Sequence, residues 1–177
     1  GWSKDFGYSQ ERILKPAAPA ISYCGYINYI SLKERFHWWR LYKKIISRSE
    51  DMHEVGPRLR GKAIRNLLKD NRVKSNFIIR KGFWASGMDK NQARNEYINN
   101  MLSSDYALVV RGAGNFSYRL YEVLSCGKIP VFVDTDCVLP FDHIINWKKY
   151  VIWINKNELD EISCKLVEFH KLLTTEE

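Results

Sequence analysis

Short apolar runs recur along the chain and are separated by longer segments of mixed polarity. Five of these runs lack the polar alternation of a strand with one exposed face. They are therefore predicted to be strands covered on both faces. The predicted strands are Ala20–Cys24, Asn76–Ile79, Tyr106–Val110, Ile129–Val133 and Val151–Ile154.

The segments between these strands carry apolar residues at helical spacing. In one of them Leu59, Ala63 and Ile64 share one side, Pro57 suits the first turn, and the preceding polar residues 50–56 are predicted to form a loop. The predicted helices are Leu32–Arg48, Pro57–Asp70, Lys90–Leu102, Phe116–Ser125, and a last helix from Asn157 or Glu158 to Leu173.

The alternation of strands and helices predicts an α/β fold, a parallel sheet with helices on both faces. Residues 1–19 are predicted to be a lead-in segment, because Pro16 and Pro19 prevent regular structure there, and residues 20–177 to be the domain. Ligands of such sheets bind outside the carboxyl ends of the strands. The candidate loops therefore follow the first four strands.

Composition narrows the class of protein. A chain of 177 residues that is 45% hydrophobic indicates one folded domain and excludes intrinsic disorder. No apolar run reaches the roughly 18–20 residues of a membrane span. The four cysteines form no CxxC pair, so a zinc site is not expected. The cysteine pattern also predicts a reducing compartment.

The charge is uneven along the chain. Residues 1–104 carry 20 Lys and Arg against 9 Asp and Glu, whereas residues 105–177 carry 8 against 11. A basic half suits an anionic partner, which could be a nucleic acid, a phospholipid or a phosphorylated small molecule. A solvated basic face without any ligand explains the same pattern.

The loop after the third strand has the composition of an anion site. It reads RGAGNFSYRLYE from Arg111 to Glu122 and leads into a predicted helix. Glycines let the backbone approach a ligand closely, and Arg111 and Ser117 add donors for phosphate oxygens. Glu122 can accept two hydrogen bonds from a ribose diol. Alternatively it is a surface residue paired with Arg119 or Lys128.

Charged residues follow two other strands. Arg80 and Lys81 come directly after the second strand, at the same predicted edge. Asp134 and Asp136 follow the fourth strand without a third metal ligand, so no metal site is expected and Asp136 is predicted to serve a turn. Arg60, on the helix before the second strand, is predicted to face solvent.

Several uncommon pieces follow one another between Ser104 and Trp147. Ser104 precedes the third predicted strand, which is followed by Arg111 and Gly112. Then come SYRLYE at 117–122, GKIPV at 127–131, LPF at 139–141 and NW at 146–147. In order and spacing these pieces resemble the exostosin family of glycosyltransferases. The likeness extends back to the strand at 22–25 and the helix at 58–68.

The resemblance implies the Rossmann-like C-terminal half of a GT-B glycosyltransferase, with residues 20–177 as its nucleotide-sugar-binding domain. It implies transfer of a sugar from a UDP-sugar to a polysaccharide or other glycan acceptor, with inversion and with neither metal nor cofactor. The separate acceptor domain of such enzymes is not expected, because only 19 residues precede the first strand, and no catalytic residue is identified. Carried over by position, the donor-binding residues are Gly25, Arg80, Arg111, Gly112, Gly114, Asn115, Ser117, Arg119 and Glu122.

Other interpretations stay open. A nucleotide- or phosphate-binding module without transferase activity would carry the same loop. Basic residues around Trp38 and Trp39 suggest nucleic-acid binding, but no RNA-binding motif accompanies them, so nucleic acid is not expected as a partner. The basic helix 32–48 could lie on anionic lipid or pack against the protein. The cysteine pattern predicts a cytoplasmic protein, peripheral to the membrane if that helix binds lipid, and the loop at 112–116 resembles the bacterial-type members of the family.

Overall fold

Five parallel strands form one sheet in the order β2-β1-β3-β4-β5, in a computed structural model that describes residues 17–28, 52–82 and 87–173. The predicted α/β fold is confirmed. The strands are β1 (Ala20–Tyr26), β2 (Lys74–Arg80), β3 (Tyr106–Val109), β4 (Ile129–Asp134) and β5 (Ile152–Asn155). The helices are α1 (Met52–Leu68), α2 (Lys90–Leu102), α3 (Arg119–Ser125) and α4 (Ile162–Leu172), with 3-10 turns at Trp147–Lys149 and Leu159–Glu161.

Helices cover both faces of the sheet. Successive residues of a strand point to opposite faces, so β3 contributes to two core layers. Leu108 packs in the layer formed with α1 and α4, together with Ile64 and Leu166. Val109 packs in the layer formed with α2 and α3, together with Met101. The central strands are therefore buried on both faces, as their unbroken apolar runs predict.

The edge strand β2 differs from that prediction. Each of its residues is exposed or half-buried, and Ile79 is 41% exposed. Only β1 pairs with it, in a register that places Cys24 opposite Ile78. The apolar run 77–79 could not distinguish an edge strand from a central one, because that depends on the order of strands in the sheet.

The helix starts also differ from the prediction. The first described helix begins at Met52, so residues 52–56, predicted to be a loop, are helical and Pro57 lies inside the helix. The carbonyl oxygen of Pro57 accepts the backbone N–H of Asn28 at 3.0 Å. Helix α3 begins at Arg119 instead of Phe116, and α4 begins at Ile162 after a 3-10 turn. By contrast, α2 has its predicted bounds, because the Asp89 side chain caps its first turn.

Some predictions concern residues beyond those described. The basic helix 32–48 and residues 1–16 of the lead-in segment both lie outside the ranges that the structure describes. Within those ranges β1 begins at Ala20, the residue predicted to open the first strand. No helix in them has the length and apolarity needed to cross a membrane.

Candidate functional site

One arginine connects the loops that follow β1 and β3. The Arg60 side chain donates from Nη1 to the carbonyl oxygen of Tyr26 at 3.1 Å and from Nη2 to that of Arg111 at 2.7 Å. The prediction that Arg60 faces solvent is therefore wrong. Its side chain crosses from α1 to the carboxyl edge of the sheet, where it holds two loops at a fixed separation.

The first half of α1 also contacts the β3 loop through its backbone. A Cβ atom added at Gly56 would lie 2.7 Å from the carbonyl oxygens of both Arg111 and Gly112. Only glycine allows this approach, since real Cβ contacts are essentially never so short. The contact also explains why no apolar periodicity marked this turn of the helix: backbone, not side chains, makes the contact.

The glycine loop, residues 111–118, folds back on itself. The Gly112 N–H donates to the Phe116 carbonyl oxygen at 2.8 Å, and a Cβ atom at Gly114 would meet the Phe116 ring at 2.9 Å. Gly114 therefore allows close packing against Phe116, and neither glycine has a positive φ. Ser117 is half-buried at the end of this turn, directly before α3.

Arg111 has hydrogen-bonding capacity that the described residues do not use. Its Nη2 donates to the Ala113 carbonyl oxygen at 3.3 Å, and its buried Nε has no partner among them. A guanidinium carries five N–H donors in a planar fork that matches phosphate oxygens. Buried polar groups without a partner are rare, so this side chain is suited to an anion at the loop.

Asn115 links the glycine loop to the loop after β4. Its Nδ2 donates to the Asp136 carbonyl oxygen at 3.1 Å, and its Oδ1 accepts the Thr135 hydroxyl at 2.6 Å. Asp136 has φ 60° and its N–H donates to the Asp134 side chain, so the predicted turn role is confirmed. The Asp136 carboxylate pairs with Lys156. Both amide atoms of Asn115 are thus engaged within the protein.

Glu122 accepts a hydrogen bond from a residue that the sequence did not single out. The Tyr97 hydroxyl, on α2, donates to Glu122 Oε2. The same hydroxyl accepts the Nε–H of Arg119 at 3.2 Å. Glu122 is therefore held by Tyr97, not by either of the two basic partners considered from the sequence. Only its own position on the helix was predictable.

Arg119 points into the protein. Its guanidinium is enclosed, donates from Nη2 to the Cys24 carbonyl oxygen, and stacks between the rings of Tyr23 and Tyr97 at 4.4 and 5.1 Å. Burial disfavours its charged form, but the two tyrosines outweigh that effect and raise the pKa of Arg119. The side chain is a cation at neutral pH that fastens α3 to β1.

Gly25 provides the space for this arrangement. A Cβ atom there would lie 2.9 Å from the Tyr23 hydroxyl oxygen and 3.4 Å from Arg119 Nη2. The Tyr23 hydroxyl donates to the Tyr26 carbonyl oxygen at 3.0 Å. The space above Gly25 is thus occupied by side chains of the protein itself.

Arg80 joins β2 to α2. Its Nη2 donates to the Ala93 carbonyl oxygen at 2.8 Å and to Glu96 Oε2 at 2.9 Å, in an ion pair that is mostly shielded on the arginine side. Its buried Nε has no hydrogen-bond partner among the described residues. The structure therefore places Arg80 at the carboxyl end of β2, with a carboxylate already beside it.

The cavity beneath these loops is too small for a nucleotide. A space of about 10 Å³ is lined by residues of β1, α2, β3 and α3, among them Cys24 and Asn100. That is room for about one water molecule. Burial raises the pKa of Cys24, so its thiol stays protonated. The predicted donor-binding residues Arg111, Ser117 and Glu122 do not line this space.

A metal site is not found among the described residues, where no three His, Cys, Asp or Glu side chains lie together in a way that could hold an ion. Phosphate charge at this edge would meet side-chain and backbone donors. The sequence missed Gly56, Arg60 and Tyr97 because their contacts join distant parts of the chain. The one available signal in the sequence was the presence of Arg60 and Tyr97 on apolar helix faces, and Gly56 had no such signal.

Comparisons with known proteins fit this geometry. Residues 49–168 match the exostosin GT47 domain. The chain is 36% identical to Exostosin-1 of Drosophila melanogaster over 69 residues, 39% of this chain and 9% of that protein. It is 27% identical to a probable glycosyltransferase of Arabidopsis thaliana over 73 residues, 41% of this chain and 16% of that protein. The chain thus matches less than a fifth of the length of either relative.

Proposed function

The chain belongs to the exostosin GT47 family, and we propose that it is the donor-binding domain of a glycosyltransferase that uses a nucleotide-sugar, in the first place a UDP-sugar. The observation that carries this proposal is the partly unsatisfied guanidinium of Arg111 on the glycine loop. It lies at the carboxyl edge of a parallel sheet, where α/β proteins bind nucleotides.

The diphosphate would bind over the glycine loop. Arg111 supplies a planar set of donors, Ser117 supplies a hydroxyl, and the backbone amides near Gly114 supply further donors. The start of this loop is held at the Arg111 and Gly112 carbonyl oxygens by the Arg60 hydrogen bond and the Gly56 contact. Because the loop needs little reorganisation, it can stabilise phosphate charge at low entropic cost.

The ribose would bind at Glu122. This carboxylate is half-buried on α3, seven residues beyond Asn115, and its Oε2 is oriented by Tyr97. An ionised carboxylate has about four lone-pair sites, so one bond from Tyr97 leaves capacity for a diol. The remaining predicted donor residues support the site: Asn115, Arg119, Arg80 and Gly25 hold the frame through contacts within the protein.

In the proposed reaction an acceptor hydroxyl oxygen attacks the anomeric carbon of the donor sugar. The bond from that carbon to the phosphate oxygen breaks, and its electron pair leaves with UDP. The acceptor proton passes to a base that is not assigned to a residue of this chain. Direct displacement of this kind inverts the anomeric centre. Arg111 and the loop amides stabilise the charge on the leaving diphosphate, in place of a metal ion.

Calorimetric titration with UDP, GDP, ADP and CMP in the presence of EDTA tests the proposal. We expect UDP to bind best, and Arg111→Ala and Glu122→Ala each to weaken it by about tenfold or more, as loss of a charge-assisted hydrogen bond predicts. Arg65→Ala, at an exposed position of α1, is the matched control. Failure of every nucleotide to bind, or wild-type affinity in both site variants, would contradict the proposal.

A further inference from the structure

We propose that Tyr97 is a positioning residue that sets the preference of this site for ribonucleotides over 2′-deoxyribonucleotides, by holding the Glu122 carboxylate toward the ribose. The inference rests on the proposed function, since it concerns the same nucleotide site. It is carried by the chain of hydrogen bonds from Arg119 through Tyr97 to Glu122.

The direction of this chain is fixed by the chemistry of its members. A guanidinium can only donate hydrogen bonds, and an ionised carboxylate can only accept them. The Tyr97 hydroxyl lies between them, so it accepts from Arg119 Nε and must donate its own proton to Glu122 Oε2. No alternative orientation of the hydroxyl satisfies both neighbours.

The base of the chain is rigid. The Arg119 guanidinium is enclosed, bonded to the Cys24 carbonyl oxygen and stacked on the rings of Tyr23 and Tyr97. Burial keeps the pKa of the Tyr97 hydroxyl well above its usual value, so its proton stays in place at neutral pH. Strand β1 packs against α2, and residues of α2 and α3 share one core layer on this side of the sheet.

Glu122 is the flexible member, and Tyr97 restrains it. A glutamate side chain has three rotatable bonds and loses considerable freedom when it is held in one rotamer. Because Tyr97 binds Oε2 before any ligand arrives, the Glu122 side chain has already lost this conformational freedom in the free protein. The remaining carboxylate sites are thereby presented in one geometry, which a 2′,3′-diol matches and a 2′-deoxyribose satisfies only in part.

The test compares the affinities for UDP and 2′-deoxy-UDP in four proteins. These are the unsubstituted chain, Tyr97→Phe, Glu122→Gln, and the control Tyr150→Phe, which removes a hydroxyl from an exposed tyrosine. The unsubstituted chain is expected to prefer UDP by about tenfold, as one hydrogen bond to a charged group predicts. Tyr97→Phe and Glu122→Gln should both reduce this preference to about twofold, and Tyr150→Phe should leave it unchanged.

The preference ratio separates positioning from a merely structural role. If Tyr97 acted only through packing, Tyr97→Phe would weaken both ligands equally, and a retained tenfold preference would overturn the inference. If the unsubstituted chain bound neither ligand, the proposed function itself would fail. A chain that binds both ligands equally would retain the proposed function but contradict the inference.

A second measurement needs no substitution. In the unsubstituted protein, the ring resonances of Tyr97 should shift when UDP is added and shift less with 2′-deoxy-UDP, because the hydroxyl bond to Glu122 responds to the ribose. The exposed Tyr150 ring is the internal reference. Equal responses of Tyr97 to the two ligands would overturn the inference, even if Tyr97→Phe did not fold.

Discussion

Arg60 Nη2 donates a 2.7 Å hydrogen bond to the Arg111 carbonyl oxygen, across 51 positions of sequence. The donor lies on a helix on one face of the sheet, and the acceptor opens the glycine loop at the sheet edge. Arg60 therefore holds the loop that we propose as the phosphate site through a backbone oxygen of that loop. This contact leaves the Arg111 side chain available to a ligand.

Replacement of Arg60 should loosen this loop. Arg60→Ala removes hydrogen bonds to two carbonyl oxygens, so we expect a loss of about 2 kcal/mol in the free energy of unfolding and a weaker affinity for UDP. Urea denaturation and calorimetry measure the two effects. Arg65→Ala, on an exposed position of the same helix, should change neither, and equal behaviour of the two variants would contradict the role of Arg60.

Gly56→Ala gives a test in which the sign of the effect is diagnostic. In an unconstrained helix this change stabilises by about 1 kcal/mol, because alanine has the higher helix propensity. Here the new methyl group would meet two carbonyl oxygens at 2.7 Å, so we expect destabilisation of about 1–3 kcal/mol instead. Thermal and urea unfolding report the sign. A more stable variant would show that α1 does not press on the loop.

The pattern of apolar residues was sufficient to predict the five parallel strands and the four described α-helices. Strands and helices that bury side chains leave a periodic trace, as Leu108 and Ile64 do in the core. Gly56 in the first half of α1 leaves none, since it makes its contact through backbone. The start of α3 was misplaced for a related reason: the Gly112 N–H donates to the Phe116 carbonyl oxygen, so Phe116 belongs to the glycine loop and the helix begins only at Arg119.

The half-buried Arg119 should be important for stability. Arg119→Met keeps an aliphatic chain of similar length but leaves the Cys24 carbonyl oxygen and the Tyr97 hydroxyl without their donor. We expect the free energy of unfolding to fall by about 3 kcal/mol, since unsatisfied buried groups are costly. Chemical denaturation compares this variant with Arg65→Met. If Arg119→Met and Arg65→Met reduce the free energy of unfolding equally, the contacts of Arg119 do not stabilise the packing of α3 on β1.

Acid should weaken the contact between α1 and the turn before α4. The Asp160 carboxylate accepts hydrogen bonds from Lys62 and Asn66, which lower the pKa of Asp160 below its usual 3.8. A pKa that is depressed in the folded state contributes stability above the unfolded value, and this stability is lost as pH falls. The free energy of unfolding should therefore decrease below about pH 5, and less steeply in Asp160→Asn. Urea denaturation at pH 5, 4 and 3 measures the free energy of unfolding of both proteins. The same decrease with falling pH in both would contradict this prediction.

The candidate site was only partly predictable from the sequence. The glycine loop and Glu122 were found because their residue types and spacing form one continuous segment. Their supports were not, since Tyr97 lies 25 positions from Glu122 and Arg60 lies 51 positions from Arg111. Such partners depend on how α1 and α2 are placed on opposite faces of the sheet, and no local pattern records that placement.

The most direct measurement of whether a nucleoside diphosphate binds at this edge is an amide NMR titration of the labelled chain with UDP. We expect the largest shifts at Gly112, Gly114 and Ser117, with smaller shifts along α3 and none in α4. Arg111→Ala should abolish them at the same UDP concentration. Shifts that cluster around the exposed Lys62 and Arg65 of α1, or no shifts at all, would contradict the donor site proposed for this loop.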